Sequence, residues 1–129
     1  MRLLIDTHIA LWLAVSPARL SASASSIVRD GAHELVLSTA SAWEIAVKHA
    51  AGKLLLPAPP EAFVPELCRR LRLAVLVIEI SHALRAGTLP MLHRDPFDRV
   101  LVAQAQVVGL PIMTVDPKIA RYDVEVISG

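Results

Sequence analysis

An α/β fold on a central, mainly parallel β-sheet is what this sequence predicts, and three observations predict it. Short apolar runs of strand length alternate with longer runs of helix length from one end to the other. Hydrophobic residues fill 54% of the 129 positions but aromatics only 4%. The core is therefore made of Leu, Ile, Val and Ala, the residues of helix-on-sheet packing. No linker, repeat or low-complexity tract divides the chain, and its length suits one domain, residues 1–129, with one core.

The elements follow in order. "RLLID" (2–6) is an apolar run ending in an acid and reads as a buried strand. "THIALWLA" is a helix with Thr7 available as its N-cap. A turn at Ser16–Pro17 leads to a second helix stopping near Gly31. "ELVLS" (34–38) is the second strand, and "TASAWEIAVKHAAGK" a helix closed by Gly52. "LLLPAPP" is a loop. "EAFVPELCRRLR" is a helix that carries Pro65 awkwardly. "LAVLVIEI" is the third strand and "SHALRAG" a short helix. After "TLPMLHR", the stretch "DPFDRVLVAQAQVVG" is a helix with Asp95 as N-cap and Pro96 at its first position. "LPIMTVD" is a fourth strand, "PKIARYD" a turn or short helix, and "VEVIS" a final strand. This alternation implies βαβ units and a sheet covered on both faces.

Composition excludes several classes. A net charge of +1 does not support strong non-specific binding to nucleic acid, so any polyanion site is a local patch. Cys68 is the only cysteine; it forms no internal disulfide and fits a reducing cytoplasm. Asp6 interrupts the N-terminal apolar run too early for a signal peptide, and no stretch is long enough to span a bilayer without a charge or proline. A soluble, cytoplasmic protein is expected.

Four acids stand where ligand sites form. Asp6 and Asp116 each end an apolar strand, and in an open parallel sheet sites lie beyond the carboxyl ends of strands. Each equally reads as a cap or turn residue. At about 100° per residue, Asp98 shares a helix face with Leu101, Val102 and Ala105. Capping explains Asp95 better than it explains Asp98. Glu44 has the strongest bland reading. It stands at capping-box spacing from Ser41, and it forms an i, i+4 pair with Lys48 worth a few tenths of a kcal/mol on a surface. Taken together, clustered carboxylates repel one another, and a divalent cation removes that penalty. Mg²⁺ and Mn²⁺ prefer oxygen ligands, and such a site activates water against a phosphodiester.

"LLIDTH", "STASAWEIAVK", "HRDPFDRVLVAQA" and "PIMTVD" followed by a Tyr come in one order over nearly the whole chain. In these pieces the chain resembles PIN-domain ribonucleases, in particular the toxin half of bacterial VapBC-type toxin–antitoxin pairs. The resemblance implies a three-layer α/β/α fold and an Mg²⁺- or Mn²⁺-dependent endoribonuclease. It maps Asp6, Glu44 and Asp98 onto the family's principal acids and Asp116 onto its usual fourth, with Thr7 and Thr114 supporting them. It further implies attack of a metal-activated water on phosphorus, departure of the 3′-oxygen to leave a 5′-phosphate, an antitoxin partner and a homodimer.

Other residues carry weaker readings. Lys48, Arg94, Arg99 and Lys118 flank the acids in sequence and are candidates to hold RNA phosphates, or plain surface charges. His8 and His93 sit beside acids, but their spacing matches no zinc pattern. Trp12, Leu13, "KLLLP" (53–57) and Phe63 are either core or an apolar groove for a partner segment. Two rival functions remain: a PIN-fold nuclease of RNA processing without an antitoxin, and a non-catalytic α/β module binding RNA or protein. An adjacent antitoxin gene separates the first, and metal titration the second.

Overall fold

The computed structural model describes residues 1–129. Five strands, β1 (Arg2–Ile5), β2 (Glu34–Ser38), β3 (Ala74–Leu76), β4 (Ile112–Thr114) and β5 (Val126–Ser128), form one sheet in the order β3-β2-β1-β4-β5. Every pairing is parallel, with Leu4 opposite both Val36 and Ile112. Six helices connect them: α1 (Thr7–Val15), α2 (Ala22–Arg29), α3 (Thr39–Ala50), α4 (Pro60–Leu71), α5 (Ile80–Thr88) and α6 (Pro96–Val108).

Strand side chains alternate between faces, which divides the core in two. Leu3, Ile5, Leu35, Leu37 and Met113 pack with residues of α1, α2 and α4, including Ile9, Ala24, Phe63 and Leu67. Leu4, Val36 and Ile112 pack on the other face with Ala86 of α5 and Leu101, Val102 and Ala105 of α6. The result is the three-layer α/β/α arrangement, and it explains why β1 reads as an unbroken apolar run: Leu3, Leu4 and Ile5 are all fully buried.

Several elements differ from the sequence reading for local reasons. The second helical stretch is split. Pro17–Arg19 is a 3₁₀ turn, and α2 starts afresh where the Ser21 side chain accepts from the Ala24 N–H. The third strand is only three residues long and lies at the sheet edge, paired with β2 alone. Pro65 lies inside α4 on its exposed side, where the carbonyl that loses its partner meets water. Helices α3 and α6 end as expected, with Gly52 and Gly109 both at positive φ. No helix is long and apolar enough to cross a membrane.

Candidate active site

Strand order runs outward from β1 in both directions, so it reverses between β1 and β4. The crevice beyond their carboxyl ends is where an open parallel sheet places its site. Asp6 follows β1 directly, and Asp116 lies two residues past β4.

Asp6, not Thr7, is the N-cap of α1, its Oδ1 accepting from the Ile9 N–H at 2.9 Å. Its Oδ2 accepts from the Thr114 hydroxyl, and that hydroxyl oxygen accepts from the Asp116 N–H at 3.0 Å. One threonine thus ties the two strand-end acids together. Asp6 is buried, and desolvation raises its pKa; the Thr114 and Ile9 bonds and the charge of His8 pull the other way, while Asp116 adds to the rise. Asp116 uses Oδ1 to accept from the Lys118 N–H, which leaves Oδ2 facing the crevice.

Glu44 lies within α3, whose N-cap is Ser38 rather than Ser41, so the expected capping box does not form. Its carboxylate is 2% exposed. The pair with Lys48 exists, but it is a buried carboxylate's partner rather than a surface decoration. Freed from capping, the Thr7 hydroxyl donates to Glu44 Oε1 at 2.6 Å and lies 2.9 Å from the Ser41 hydroxyl. Burial on its own lowers the Lys48 pKa; hydrogen bonding and charge from Glu44, with Asp95 and Asp98 beyond, raise it overall.

Asp98 stands in the first turn of α6. Asp95 Oδ1 caps that helix, accepting from the Phe97 N–H at 2.9 Å and more weakly from the Asp98 N–H. Asp98 therefore turns its own carboxylate inward, to 2.8 Å from His93 Nε2. Its pKa is raised to about 6, first by burial, then by the charge of Asp95 and of Glu44, against the lowering effect of the His93 bond. His93 Nε2 is also 3.3 Å from Asp116 Oδ2. Donor atoms of His93, Asp98 and Asp116 all lie within 4.8 Å of one another. Asp6 and Glu44 stand outside this trio: Asp6 is linked to it through Thr114, and Glu44 is near enough for its charge to repel that of Asp98. Carboxylate oxygens in excess over nearby cations suit a hard divalent ion.

A protein-family model described as the PIN domain matches residues 3–125. The chain belongs to the PIN-domain family. Ribonuclease VapC22 of Mycobacterium tuberculosis (strain ATCC 25618 / H37Rv) is 30% identical over 120 residues, 92% of this chain and 90% of that protein. Ribonuclease VapC16 of the same organism is 40% identical over 57 residues, 44% of this chain but only 40% of that protein. The fold is similar to VapBC2 from Rickettsia felis, solved bound to a promoter DNA fragment, with a TM-score of 0.71 at 11% identity and 98% of each chain covered. VapBC-1 from nontypeable Haemophilus influenzae gives a TM-score of 0.68 at 18% identity, covering 99% of this chain and 98% of that one. At these identities the two structures speak for the fold.

Two residues of this PIN domain depart from the sequence reading. Arg99 is not a rim cation. It is buried, and its guanidinium donates to the carbonyls of Ala86 (2.8 Å), Leu89 (3.1 Å) and Pro90 (3.1 Å), with Tyr122 Oη at 3.3 Å. It thereby locks the loop before α6. His93, set aside for lack of a metal spacing, is carried by that loop to the centre of the site. The signal available was its place five residues before Asp98, read against a loop whose path the sequence did not give. Among the other flanking residues, Arg94, Lys118 and His8 are exposed and Lys48 is half-buried. Phe63 is core, whereas Trp12 is half-covered, with the Arg19 guanidinium 4.6 Å from its ring centre. A cleft of about 450 Å³ runs from Glu44 and Lys48 past Trp12 to Leu54.

Proposed function

We propose that this PIN domain is a divalent-metal-dependent endoribonuclease, using Mg²⁺ or Mn²⁺, and acts in the cytoplasm as the toxin of a toxin–antitoxin pair. The observation that carries the reading is Asp98. Its carboxylate is turned away from the helix cap toward His93 and Asp116, and burial and like charges raise its pKa to about 6; a bound cation would offset that crowding. The relatives are named ribonucleases, and the similar folds come from VapBC assemblies.

In this reading Asp6, Glu44, Asp98 and Asp116 hold the cation. When bound, it lowers the pKa of water and neutralises charge at a phosphodiester. The chain's own residues do the rest. Thr114 fixes the rotamer of Asp6 while holding the Asp116 backbone, and Thr7 fixes Glu44. Each hydroxyl donates to an acid, so the carboxylates are preorganised rather than free to splay. Lys48 shields the buried charge of Glu44. Arg94 and Lys118, exposed beside the acids, supply contacts to phosphates of a single strand. The partner docks along the cleft leading to Trp12 and the exposed Leu55, and an Arg from it competes for the carboxylates. We further propose that residues 1–129 work as one domain and assemble as a homodimer.

The deciding experiment incubates the purified chain with total RNA while Mg²⁺, Mn²⁺ or a chelator is supplied, and maps the cut ends. Metal-dependent internal cuts with 5′-phosphates, lost in Asp98→Asn, are expected. Cutting that persists in the chelator would sink the metal reading, and intact RNA under every condition would sink the nuclease.

A further inference from the structure

His93 is the group that the carboxylate account leaves over. It comes from the loop between α5 and α6, whereas Asp98 comes from α6 and Asp116 from the turn after β4. Three separate segments thus aim donor atoms at one point. Imidazole Nε2 stands 2.8 Å from Asp98 Oδ2 and 3.3 Å from Asp116 Oδ2. In an octahedral shell with bonds of about 2.1 Å, neighbouring donors stand about 3.0 Å apart. The two separations bracket that spacing, and all three donor atoms lie within 4.8 Å of one another, close enough for one ion to reach the nitrogen and both oxygens.

The backbone that carries the ring is also held there. The His93 N–H donates to Tyr122 Oη at 2.9 Å, and its carbonyl lies 3.4 Å from the Arg99 guanidinium. Tyr122 and Arg99 are both buried and bonded to the carbonyl of Pro90, three residues earlier. The side chain of His93 is only 10% exposed. These bonds fix the backbone from which the imidazole projects, and the two carboxylates on Nε2 set the direction of the ring.

We propose that His93 is a nitrogen ligand to the bound cation, forming a His–Asp–Asp face with Asp98 and Asp116 that selects Mn²⁺ over Mg²⁺. This rests on the metal-dependent reading above and goes beyond its all-carboxylate ligand set. Mg²⁺ is hard, keeps its waters and gains little from imidazole, whereas divalent transition metals accept imidazole readily. A histidine in the shell therefore changes which ion the site prefers.

The test is pulsed electron paramagnetic resonance on the full chain loaded with one equivalent of Mn²⁺, which detects a directly bonded nitrogen without reference to cleavage. Wild type should show the nitrogen modulation of one imidazole. His8→Ala should keep it, and His93→Gln should lose it. Competition titration should show Mn²⁺ affinity falling by at least about tenfold in His93→Gln, with a much smaller change for Mg²⁺. Mn²⁺ bound to wild type with no nitrogen signal would overturn the His93 assignment while leaving a carboxylate site standing. Survival of the signal in His93→Gln would overturn it too. Failure of wild type to bind Mn²⁺ at all would overturn both this inference and the metal reading beneath it.

Discussion

Replacing Asp98 by Asn should make the metal-free protein more stable at neutral pH, although it removes an acid from the site. The carboxyl is carried from 3.8 to about 6 by burial and by Asp95 and Glu44. Keeping it ionised at pH 7 therefore costs about 3 kcal/mol. Asn removes the charge and keeps an oxygen for His93, but it loses the charge assistance of that 2.8 Å contact. A net gain of about 1–2 kcal/mol remains, or about 3–8 °C in Tm for a chain of this size. The sign follows from the direction of the shift. A raised folded-state pKa means that folding favours the protonated form. The penalty is therefore absent below pH about 4, grows as pH rises, and is complete above about 6. Thermal melts of wild type and Asp98→Asn in chelator at pH 4 and pH 7 measure it directly. Excess Mn²⁺ should then raise the wild-type Tm and move Asp98→Asn far less, because ligand stabilisation requires the ligand to bind. A variant less stable than wild type at pH 7, or a gain equal at both pH values, would refute the crowding argument.

Other perturbations follow from the same geometry. Asp95→Asn should retain most RNA cleavage, since Asn is also a good N-cap for α6; a dead Asp95→Asn beside an active Asp98→Asn would reverse their roles. Arg99→Ala should cost about 3 kcal/mol or more, because the buried carbonyls of Ala86 and Leu89 and the part-buried one of Pro90 lose their donor together, and chemical denaturation reads it. Leu55→Asp should leave stability within about 0.5 kcal/mol, as Leu55 is 94% exposed. The same variant should weaken pull-down of the product of an adjacent antitoxin gene, and undiminished capture would remove Leu55 from the docking surface.

How much of this was legible in the sequence depends on the range of the forces involved. Period and local capping act within a few residues, and what they govern was readable. The five strands, the Asp95 cap, Pro96 at N1 and the glycine ends of α3 and α6 all follow from neighbours in the chain. The inward face of Asp98 was readable too, because helix geometry fixes it once the start of α6 is known. Capping misled only where tertiary contacts outbid it. Thr7 and Ser41 are good N-cap residues by type, yet their hydroxyls face each other across 34 positions of sequence, with Thr7 donating to Glu44. Nothing local distinguishes the two uses.

Arg99 and His93 show the limit most clearly, and they fail together for one reason. The loop from Leu89 to Asp95 has almost no regular structure, so its carbonyls need a donor from elsewhere. Arg99, one turn into α6, supplies that donor to Leu89, Pro90 and, at longer range, His93, with Tyr122 completing the clamp from the far side of β4. A guanidinium is suited to this because it presents several donors in a fixed plane and never loses its charge. Read one-dimensionally, Arg99 is a cation next to an acid and invites a phosphate. In three dimensions it is spent on the backbone, and its work appears at His93, whose ring is delivered between Asp98 and Asp116. The positive charge that the sequence offered to the substrate is used instead to build the site, which leaves Arg94 and Lys118 as the exposed cations beside the acids.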